Sequence, residues 1–503
     1  MHSDSDGSGS PREAHLARHK RSALSRRALL VGCGATASQI LLAGCGDVSR
    51  VNPLLLPPNP QPTPAGSTTP VSVTVTRTTV GAIPPSFAGL SYDKLSMNLP
   101  RFNARNTNLI NLFRLLGSSL LRIGGYSVDF VQWAPNGLGQ TTGEVAPSDI
   151  DALAAFLEAA DWDCLYSVNL AKSTPAAAAA EVLYAARSLG RRLVGVELGN
   201  ECNLYGTYRY FNDWNLQIFE QLWEEYRNAI LQSAPNVAMT GPAAIGNIGS
   251  WTVPFAQQLG GQISLLTQHY YRASGRDPGS TAAKLISPDP TLIANLAQLK
   301  AAAAASGIPF RMSETNSYYA GGAIGVSDSY ASSLWVIDYL FNVALGGGAG
   351  VNLTGGGDTG GYTPIADDNG AVQQARPEYY GALFFTLAGA GSLFDTSVSA
   401  SGLNVTAYSV ARADAAGISV VVVNKELSQN LKVTVDCGGP VSSASVISME
   451  GASLEATSGV RIQSSTVATD GSFNPKAPYT LPVSGNAVSC YLQPLSSALI
   501  SLV

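Results

Sequence analysis

Between residues 81 and 380, short apolar runs alternate with longer segments of helical period, and this alternation constrains the fold more than any other feature of the chain. The apolar runs lie at residues 87–92, 120–124, 165–170, 194–199, 238–242, 263–271, 310–314 and 350–354. Eight strands separated by helices are typical of repeated βα units around a parallel sheet. We therefore predict an α/β fold with a (β/α)8 barrel, or TIM barrel, over residues 81–385.

One of the intervening helices is indicated in particular detail. Its apolar residues recur every three or four positions at Tyr330, Leu334, Ile337, Phe341 and Ala344. Ser327 and Asp328 precede this pattern as candidate caps, and the three glycines at 346–348 end it. The sequence therefore predicts a helix that begins shortly after residue 328.

Beyond about residue 391 the pattern changes to short strands rich in Val, Thr and Ser, with no long helix. These strands are predicted at 403–410, 418–423, 431–436, 441–449 and 498–503, and residues 71–76 show the same alternation. Many short strands separated by turn residues are typical of a β-sandwich. We predict an accessory β-sandwich domain formed by residues 71–80 together with 386–503.

Residues 1–45 have the pattern of an export signal. Basic residues and a twin-arginine pair, Arg26 and Arg27, precede an apolar stretch at 28–43 that is too short for a permanent membrane span. The stretch ends in Leu-Ala-Gly-Cys45, which resembles a bacterial lipobox, and residues 46–70 form a proline-rich linker. We expect an exported protein of the cell envelope or periplasm, lipid-anchored at Cys45, with a plain cleaved signal as the alternative.

Charge limits the kinds of partner that the chain can have. Removing residues 1–44 takes away six basic and three acidic residues, which changes the formal net charge from −5 to −8. An acidic protein without a basic cluster is not built for nucleic acid, so we expect none as a partner. We expect membrane contact only through the N-terminal anchor.

Histidine and cysteine usage limits the chemistry. The four histidines are His2, His15, His19 and His269, so only one lies beyond the export signal. A multi-histidine metal site is excluded, and a Ser-His-Asp hydrolase is barely possible. We expect no metal and no cofactor, because the cysteines that remain show no CxxC spacing, and their pairing stays open: Cys164, Cys202, Cys437 and Cys490.

Two glutamates end predicted barrel strands, where the active site of such a barrel lies. Glu201 ends the fourth strand and Glu314 ends the seventh, so their carboxyl groups face each other across the barrel mouth. Glycosidic cleavage needs one protonated and one ionised carboxyl group in that arrangement. An ion pair at the barrel rim is the alternative for either glutamate alone. Glu197 lies on the same strand face as Glu201, and we expect it deeper in the barrel as a supporting residue.

The surrounding motifs carry a resemblance. Gly199-Asn200-Glu201 and Ser313-Glu314-Thr315 resemble the acid/base and nucleophile motifs of the large clan of retaining glycosidases built on such barrels. Finer details are similar to glycoside hydrolase family 79, the family of bacterial β-glucuronidases and of heparanase. The likeness covers roughly residues 70–503 and rests on these segments: 87–92, 121–125 with Asp129, 269–271, 314–319 with the glycines at 321–322, and 361–362.

The resemblance implies roles for the residues between the two glutamates. Glu201 would be the acid/base and Glu314 the nucleophile, with carboxyl groups about 5 to 5.5 Å apart. Asn200 would hydrogen-bond the sugar 2-hydroxyl. Tyr271 and His269 alternate onto one strand face, so Tyr271 would hold Glu314 or contact the sugar, and His269 would bind substrate or serve as a structural residue.

The resemblance also implies how a sugar carboxylate is bound. In family 79, tyrosine hydroxyls and backbone N–H groups bind the glucuronate carboxylate, and Tyr319, Gly361 and Tyr362 match that role, with packing at the rim as the alternative. The chain departs from the family pattern at Cys202 and at Asp93. Asp93 stands where a glutamate that contacts the sugar is expected, which leaves tolerance of a 4-O-methyl group open.

These observations predict a retaining exo-β-glucuronidase that removes terminal β-linked glucuronic acid from a carbohydrate substrate. Two alternatives stay open. The first is another retaining barrel glycosidase of the β-xylosidase or α-arabinofuranosidase type, which would lack the carboxylate pocket of Tyr319 and Tyr362. The second is a surface lipoprotein that binds glycans without cleaving them, since a fold does not by itself imply activity.

Overall fold

A computed structural model describes residues 59–357, 361–415 and 417–503 of the 503-residue chain. The export signal, the lipidation candidate Cys45 and most of the proline-rich linker lie outside the described residues. Within those ranges, every helix is too short or too polar to cross a lipid bilayer.

Eight parallel strands close into a barrel in chain order. They are Ala88–Asp93, Leu120–Gly124, Asp163–Val168, Leu193–Leu198, Met239–Ile245, Leu265–Tyr271, Phe310–Asn316 and Val351–Gly355, called barrel strands 1 to 8 below. The predicted (β/α)8 barrel is therefore confirmed, and each predicted strand differs from the observed one by at most three residues. Most residues of these strands are buried because helices cover the outer face of the barrel.

The α-helices of the described residues run between and around these strands. They are Thr107–Leu115, Pro147–Ala160, Pro175–Leu189, Leu216–Ser233, Val253–Leu259, Ala282–Leu285, Pro290–Ser306, Tyr330–Leu345 and Pro377–Leu387. Several begin at a side-chain cap: the Thr174 hydroxyl accepts from the Ala177 N–H, and the Asp289 carboxylate accepts from the Leu292 N–H.

The helix predicted behind Ser327 and Asp328 is present, but its cap was assigned wrongly. Ser329 occupies the N-cap position of Tyr330–Leu345. The Asp328 carboxylate instead accepts from the Gly325 N–H, and the Ser327 hydroxyl accepts from the Ala323 N–H. Both side chains therefore stabilise the loop before the helix rather than the helix itself.

The accessory strands form one continuous sheet of eleven strands rather than the two separate sheets that a sandwich implies. The sheet curls so that strands from its two ends share one buried core, which includes Val73 and Val433 from one end and Val420 and Val446 from the other. Its strands are Thr69–Ile83, Gly391–Ser399, Val405–Arg412, Ile418–Asn424, Leu431–Asp436, Ala444–Glu450, Arg461–Ile462, Tyr479–Leu481, Val483–Ser484, Ala487–Leu492 and Ser496–Leu502. The predicted sandwich is thus a curled sheet that encloses the same kind of core.

The chain enters the curled sheet before the barrel and returns to it afterwards. Strand Thr69–Ile83 pairs antiparallel with Gly391–Ser399 and parallel with Leu431–Asp436. The division between the two parts at residues 80 and 385 stays a prediction. Two short strand pairs lie outside both sheets: Gln132–Trp133 with Glu144–Val145, and Ile365–Asp368 with Ala371–Ala375.

The end of the predicted proline-rich linker, residues 46–70, packs against the curled sheet. The Asn59 amide donates to the carbonyls of Ala477 and Pro478. The Gln61 side chain donates to the Tyr491 carbonyl at 2.8 Å and accepts from the Tyr491 N–H at 2.9 Å. A proline-rich segment can lie on a sheet in this way because polar side chains between the prolines supply the missing hydrogen bonds.

Barrel and curled sheet meet at helix Tyr330–Leu345. Its Asp338 carboxylate accepts hydrogen bonds from Thr406 and Tyr408 and forms a buried ion pair with Lys425. The Phe341 ring stacks on the Tyr408 ring, with centroids 4.4 Å apart. This contact joins one face of the barrel to the curled sheet.

Candidate active site

Glu201 is placed by a tight turn at the end of barrel strand 4. Gly199 has φ +77°, and a Cβ there would lie 2.2 Å from the Tyr205 hydroxyl, so only glycine fits. Glu201 itself has φ +50°, a conformation that costs energy for a non-glycine residue and often occurs at functional sites. Its N–H donates to the Ala243 carbonyl at 2.8 Å, which ties the turn to barrel strand 5.

Asp129 supports the same turn from the loop after barrel strand 2. Its carboxylate accepts from the Tyr205 hydroxyl at 2.7 Å and from the N–H groups of Leu170 and Ala171, both at 3.2 Å. The Tyr205 hydroxyl in turn lies 3.4 Å from the Asn200 N–H. Burial raises the pKa of Asp129 to about 6, and these hydrogen bonds only partly oppose it.

Glu314 lies on barrel strand 7 and faces Glu201 across the mouth. A carboxylate oxygen of Glu201 and one of Glu314 lie within 4.8 Å of each other. The Glu201 side chain is 16% exposed, whereas that of Glu314 is 9% exposed. The sequence placed these residues on facing strands, and the structure brings their carboxylates together.

The Glu314 carboxylate is held by a donor on each oxygen. The Tyr271 hydroxyl donates to Oε1 at 2.8 Å, and Arg122 Nη1 donates to Oε2 at 2.7 Å. Burial alone would raise the pKa of Glu314, but His269, Arg122 and these hydrogen bonds outweigh burial and lower it. The geometry thus keeps Glu314 ionised and oriented.

Arg122 organises the floor of the site. Its Nε donates to Glu197 Oε2 at 2.6 Å, and its Nη2 donates to Asn200 Oδ1 at 2.9 Å. Burial would raise the pKa of Glu197, but the Arg122 charge and its hydrogen bond, together with His269, lower it. Glu197 lies fully buried in the barrel, as expected for a supporting residue.

From the sequence, Arg122 was part of the family-like segment 121–125 but was not predicted to belong to the site. The signal was nonetheless present, because an arginine inside the apolar barrel strand Leu120–Gly124 must find carboxylate partners once it is buried. Asn200 was expected to bind a 2-hydroxyl. Because its Oδ1 accepts from Arg122, its amide NH2 is the group directed to other partners.

His269 lies beside Glu201, the more exposed of the two glutamates. Its Nδ1 is 3.3 Å from Glu201 Oε1, and its side chain is fully buried. Its Nε2 has no hydrogen-bond partner among the residues that the structure describes. His269 and Tyr271 therefore point into the mouth from the same face of barrel strand 6, one toward each glutamate.

Glu201, His269 and Glu314 could each offer one ligand atom to a metal ion, because these atoms lie within 4.8 Å of one another. The Arg122 guanidinium, however, adds a positive charge directly against Glu314. Both Glu314 oxygens already accept hydrogen bonds. The donor set therefore suits proton transfer and nucleophilic attack better than it suits a cation.

One wall of the site, called the tyrosine wall below, is formed by Tyr271, Tyr319 and Tyr362. The Tyr271 ring lies 5.9 Å from the Tyr362 ring and 6.3 Å from the Tyr319 ring, centroid to centroid. Tyr319 is 50% exposed, whereas Tyr362 is partly buried. Burial, followed by the charge of Glu314, raises the pKa of Tyr362. Gly361 lets the loop after barrel strand 8 approach the loop after barrel strand 7, since a Cβ at Gly361 would lie 1.4 Å from the Gly321 carbonyl oxygen.

Asp93 lies at the end of barrel strand 1, but its carboxylate is occupied by the protein. It accepts from the Leu95 N–H at 3.0 Å, from the Ser127 N–H at 3.0 Å and from the Ser127 hydroxyl. These bonds tie barrel strand 1 to the loop after barrel strand 2. A contact between Asp93 and a sugar stays a prediction.

The four described cysteines, Cys164, Cys202, Cys437 and Cys490, are buried free thiols. Cys202 directly follows Glu201, and its thiol lies 3.3 Å from the Leu198 carbonyl. Burial raises the pKa of the Cys202 thiol, so it packs as a small neutral side chain behind the turn.

Comparisons with known proteins show which proteins the chain is similar to. No protein-family model matches the sequence. A β-glucuronidase from Aspergillus niger is 26% identical over 294 residues, which are 51% of this chain and 53% of that enzyme. The chain therefore spans about half the length of this curated relative.

Solved structures share the fold over most of the described chain. A 4-O-α-L-rhamnosyl-β-D-glucuronidase from Fusarium oxysporum matches with a TM-score of 0.71 at 19% identity, covering 88% of this chain and 99% of that one. A family 51 α-L-arabinofuranosidase from Thermotoga petrophila matches with a TM-score of 0.65 at 16% identity, covering 86% and 100%. The fold is shared with glycoside hydrolases.

Proposed function

We propose that this protein is a retaining exo-β-glucuronidase of the family 79 type. The observation that carries the proposal is the Glu314 carboxylate, held ionised by Arg122 and Tyr271 within 4.8 Å of the Glu201 carboxyl group. Retaining glycosidases place their two carboxyl groups about 5 to 5.5 Å apart, whereas inverting enzymes need about 6.5 to 9.5 Å to admit a water molecule.

In the first chemical step, Glu314 attacks the anomeric carbon and forms a glycosyl ester. Glu201 gives its proton to the glycosidic oxygen as that bond breaks. In the second step, Glu201 takes a proton from water, which attacks the same carbon and releases Glu314. In this proposal the amide NH2 of Asn200 donates to the sugar 2-hydroxyl, while Arg122 holds the Asn200 carbonyl.

Specificity for glucuronate rests on the tyrosine wall. A sugar carboxylate in this acidic protein needs local donors, and the hydroxyls of Tyr319 and Tyr362 supply them without a second arginine. The Tyr362 N–H donates to the Gly321 carbonyl at 3.3 Å, so we assign the hydroxyl of Tyr362, rather than its N–H, to the sugar carboxylate. The 26% identity with the Aspergillus enzyme supports the same substrate class.

A panel of nitrophenyl glycosides tests the proposal: β-glucuronide, β-xyloside, β-glucoside and α-arabinofuranoside. We expect the glucuronide to be cleaved with the highest kcat/KM, and proton NMR to detect the β-anomer of glucuronic acid first. Preference for the arabinofuranoside or the xyloside would assign the protein to another barrel glycosidase. Early appearance of the α-anomer would overturn the retaining mechanism.

We further propose that the protein is exported and lipid-anchored at Cys45. The support is the twin-arginine pair, the apolar stretch and the lipobox-like Leu-Ala-Gly-Cys45 of the sequence. Fractionation of cells that produce the wild type and Cys45→Ser tests this. We expect the wild type in the membrane fraction and the variant in the soluble envelope fraction, and identical fractionation would contradict the anchor.

A further inference from the structure

Four aromatic side chains form a continuous surface beside the barrel mouth, called the aromatic platform below: Tyr126, Phe130, Tyr208 and Tyr210. Ring centroids lie 5.1 Å apart for Tyr126 and Phe130, and 5.8 Å apart for Phe130 and Tyr210. The other two neighbouring pairs are 6.1 Å apart for Tyr126 and Tyr208, and 5.6 Å apart for Tyr208 and Tyr210. The platform is thus one patch built from two loops.

Three of the four aromatic side chains of the platform are exposed to solvent. Tyr126 is 60% exposed, Phe130 is 37% exposed and Tyr208 is 36% exposed. The Lys172 ammonium lies 3.8 Å from the centroid of Phe130, so it braces one ring of the patch by a cation–π contact. Contiguous exposed aromatic surface on a soluble domain indicates a ligand or partner site.

The position of the platform assigns it to the leaving-group side of the cleft. Tyr208 follows Glu201 through consecutive turns, in which the Leu204 N–H donates to the Glu201 carbonyl and the Tyr208 N–H donates to the Leu204 carbonyl. Burial raises the pKa of Tyr208 to about 12, with the charge of Glu201 as the next cause.

The platform also lies opposite the tyrosine wall. Its residues come from loops after barrel strands 2 and 4, whereas Tyr271, Tyr319 and Tyr362 belong to barrel strands 6 to 8 and their loops. In the closed barrel these two groups of strands face each other. A sugar whose carboxylate contacts the tyrosine wall and whose glycosidic oxygen lies at Glu201 therefore has the group beyond that oxygen on the platform side of the cleft.

Building on the proposed function, we propose that the aromatic platform is an aglycone subsite that binds a pyranose ring of an oligosaccharide leaving group. The rings of Tyr126 and Tyr208 are perpendicular, at 88°, and form a corner in which a sugar can stack on one ring and contact the edge of the other. The C–H groups of a pyranose face carry partial positive charge, which suits the negative face of an aromatic ring. The substrate class is accordingly a glucuronate-capped oligosaccharide.

The test compares kcat/KM on β-glucuronosyl disaccharides of gluco, galacto and xylo configuration with kcat/KM on methyl β-glucuronide. The best disaccharide substrate is carried forward with Tyr126→Ala, Tyr208→Ala and Tyr126→Trp. Tyr491→Ala, a partly exposed tyrosine on the curled sheet, is the matched control. We expect the ratio of disaccharide to methyl glucuronide to fall about three- to tenfold in each alanine variant. The ratio should be retained in Tyr126→Trp and in the control.

An unchanged ratio in both alanine variants would overturn the subsite. An equal fall in the Tyr491→Ala control would do the same, since the effect would then not belong to the platform. Methyl β-glucuronide turnover by the wild type reports the proposed function separately. If the wild type does not turn over methyl β-glucuronide, the proposed function is wrong. If it does, but the ratio of disaccharide to methyl glucuronide is unchanged in the alanine variants, only the proposed aglycone subsite is wrong.

Discussion

At the scale of single residues, the site depends on one buried cation shared by several acceptors. Arg122 has no exposed side-chain surface and contacts Glu197, Glu314 and Asn200 at once. The sequence identified both catalytic candidates because glutamates at strand ends are visible in a linear pattern. It did not identify Arg122 as the partner of Glu314 and Glu197, because the partners of a buried charge depend on which strands lie next to each other.

Replacing this cation should alter the pH dependence of catalysis. Glu314 must be ionised to attack, and Arg122 helps to hold its pKa below the usual range. In Arg122→Gln that help is lost and the pKa of Glu314 rises, so the acidic limb of the kcat/KM profile should move to higher pH. We also expect kcat/KM at neutral pH to fall by about a hundredfold or more.

A matched control for Arg122→Gln is Arg101→Gln. Arg101 forms another buried pair, with Asp367 at 3.0 Å, so its acidic partner is neither of the two glutamates. This variant should lose stability without moving the acidic limb. If both variants left the limb at the wild-type pH, Arg122 would not control the ionisation of Glu314.

The two glutamates should respond differently to substitution. Glu314→Gln should abolish turnover of every substrate, because no nucleophile remains. Glu201→Ala should still form the glycosyl ester from substrates with good leaving groups, which need little protonation. Burst kinetics with dinitrophenyl and methyl glucuronides measure this difference. Equal loss on both leaving groups in Glu201→Ala would remove Glu201 from the acid role.

At the scale of elements, the barrel strands were predictable and several loops were not. Most barrel strands contain a short apolar run bounded by turn residues, so the sequence alone indicates them, as in Leu120–Gly124. The hairpin of Ile365–Asp368 and Ala371–Ala375 was missed because its strands are short and lie in a long loop. The curled sheet was read as a sandwich because strand periodicity indicates a buried face but not how the strands connect.

The loops after barrel strands 7 and 8 should control sugar specificity. Tyr319→Phe and Tyr362→Phe each remove a hydroxyl from the tyrosine wall. We expect each to lower kcat/KM on glucuronides about ten- to a hundredfold, because a hydrogen bond to a charged group contributes roughly 1.5 to 3 kcal/mol. The matching xyloside, which lacks the carboxylate, should be affected far less.

The comparison of glucuronide with xyloside can also contradict the role of the two tyrosines in binding the carboxylate. Equal losses on glucuronide and xyloside in both variants would mean that the two tyrosines only shape the cleft. The glucuronidase assignment would then reduce to an unspecified barrel glycosidase. Thermal denaturation of both variants serves as the control, since neither substitution should change the fold.

At the scale of the whole molecule, barrel and curled sheet are joined by a buried polar contact. Asp338→Ala would leave Lys425, whose side chain is 3% exposed, without its carboxylate partner. Removing one member of a buried pair costs about 3 to 5 kcal/mol of unfolding free energy. Denaturant unfolding measures this loss, which should exceed that of Asp414→Ala in the exposed pair with Arg412, where less than about 1 kcal/mol is expected. Similar losses in the two variants would mean that the contact does not stabilise the junction.

The central claim is that Glu314 becomes covalently bonded to the sugar. The most direct measurement is mass spectrometry of peptides from enzyme inactivated with 2-deoxy-2-fluoro-β-glucuronyl fluoride, in which the fluorine at C2 slows hydrolysis of the glycosyl ester. We expect one fluoroglucuronyl group per protein, on the peptide that contains Glu314, and none after Glu314→Gln. A label on Glu201 or on any other residue, or inactivation of Glu314→Gln at the wild-type rate, would contradict it.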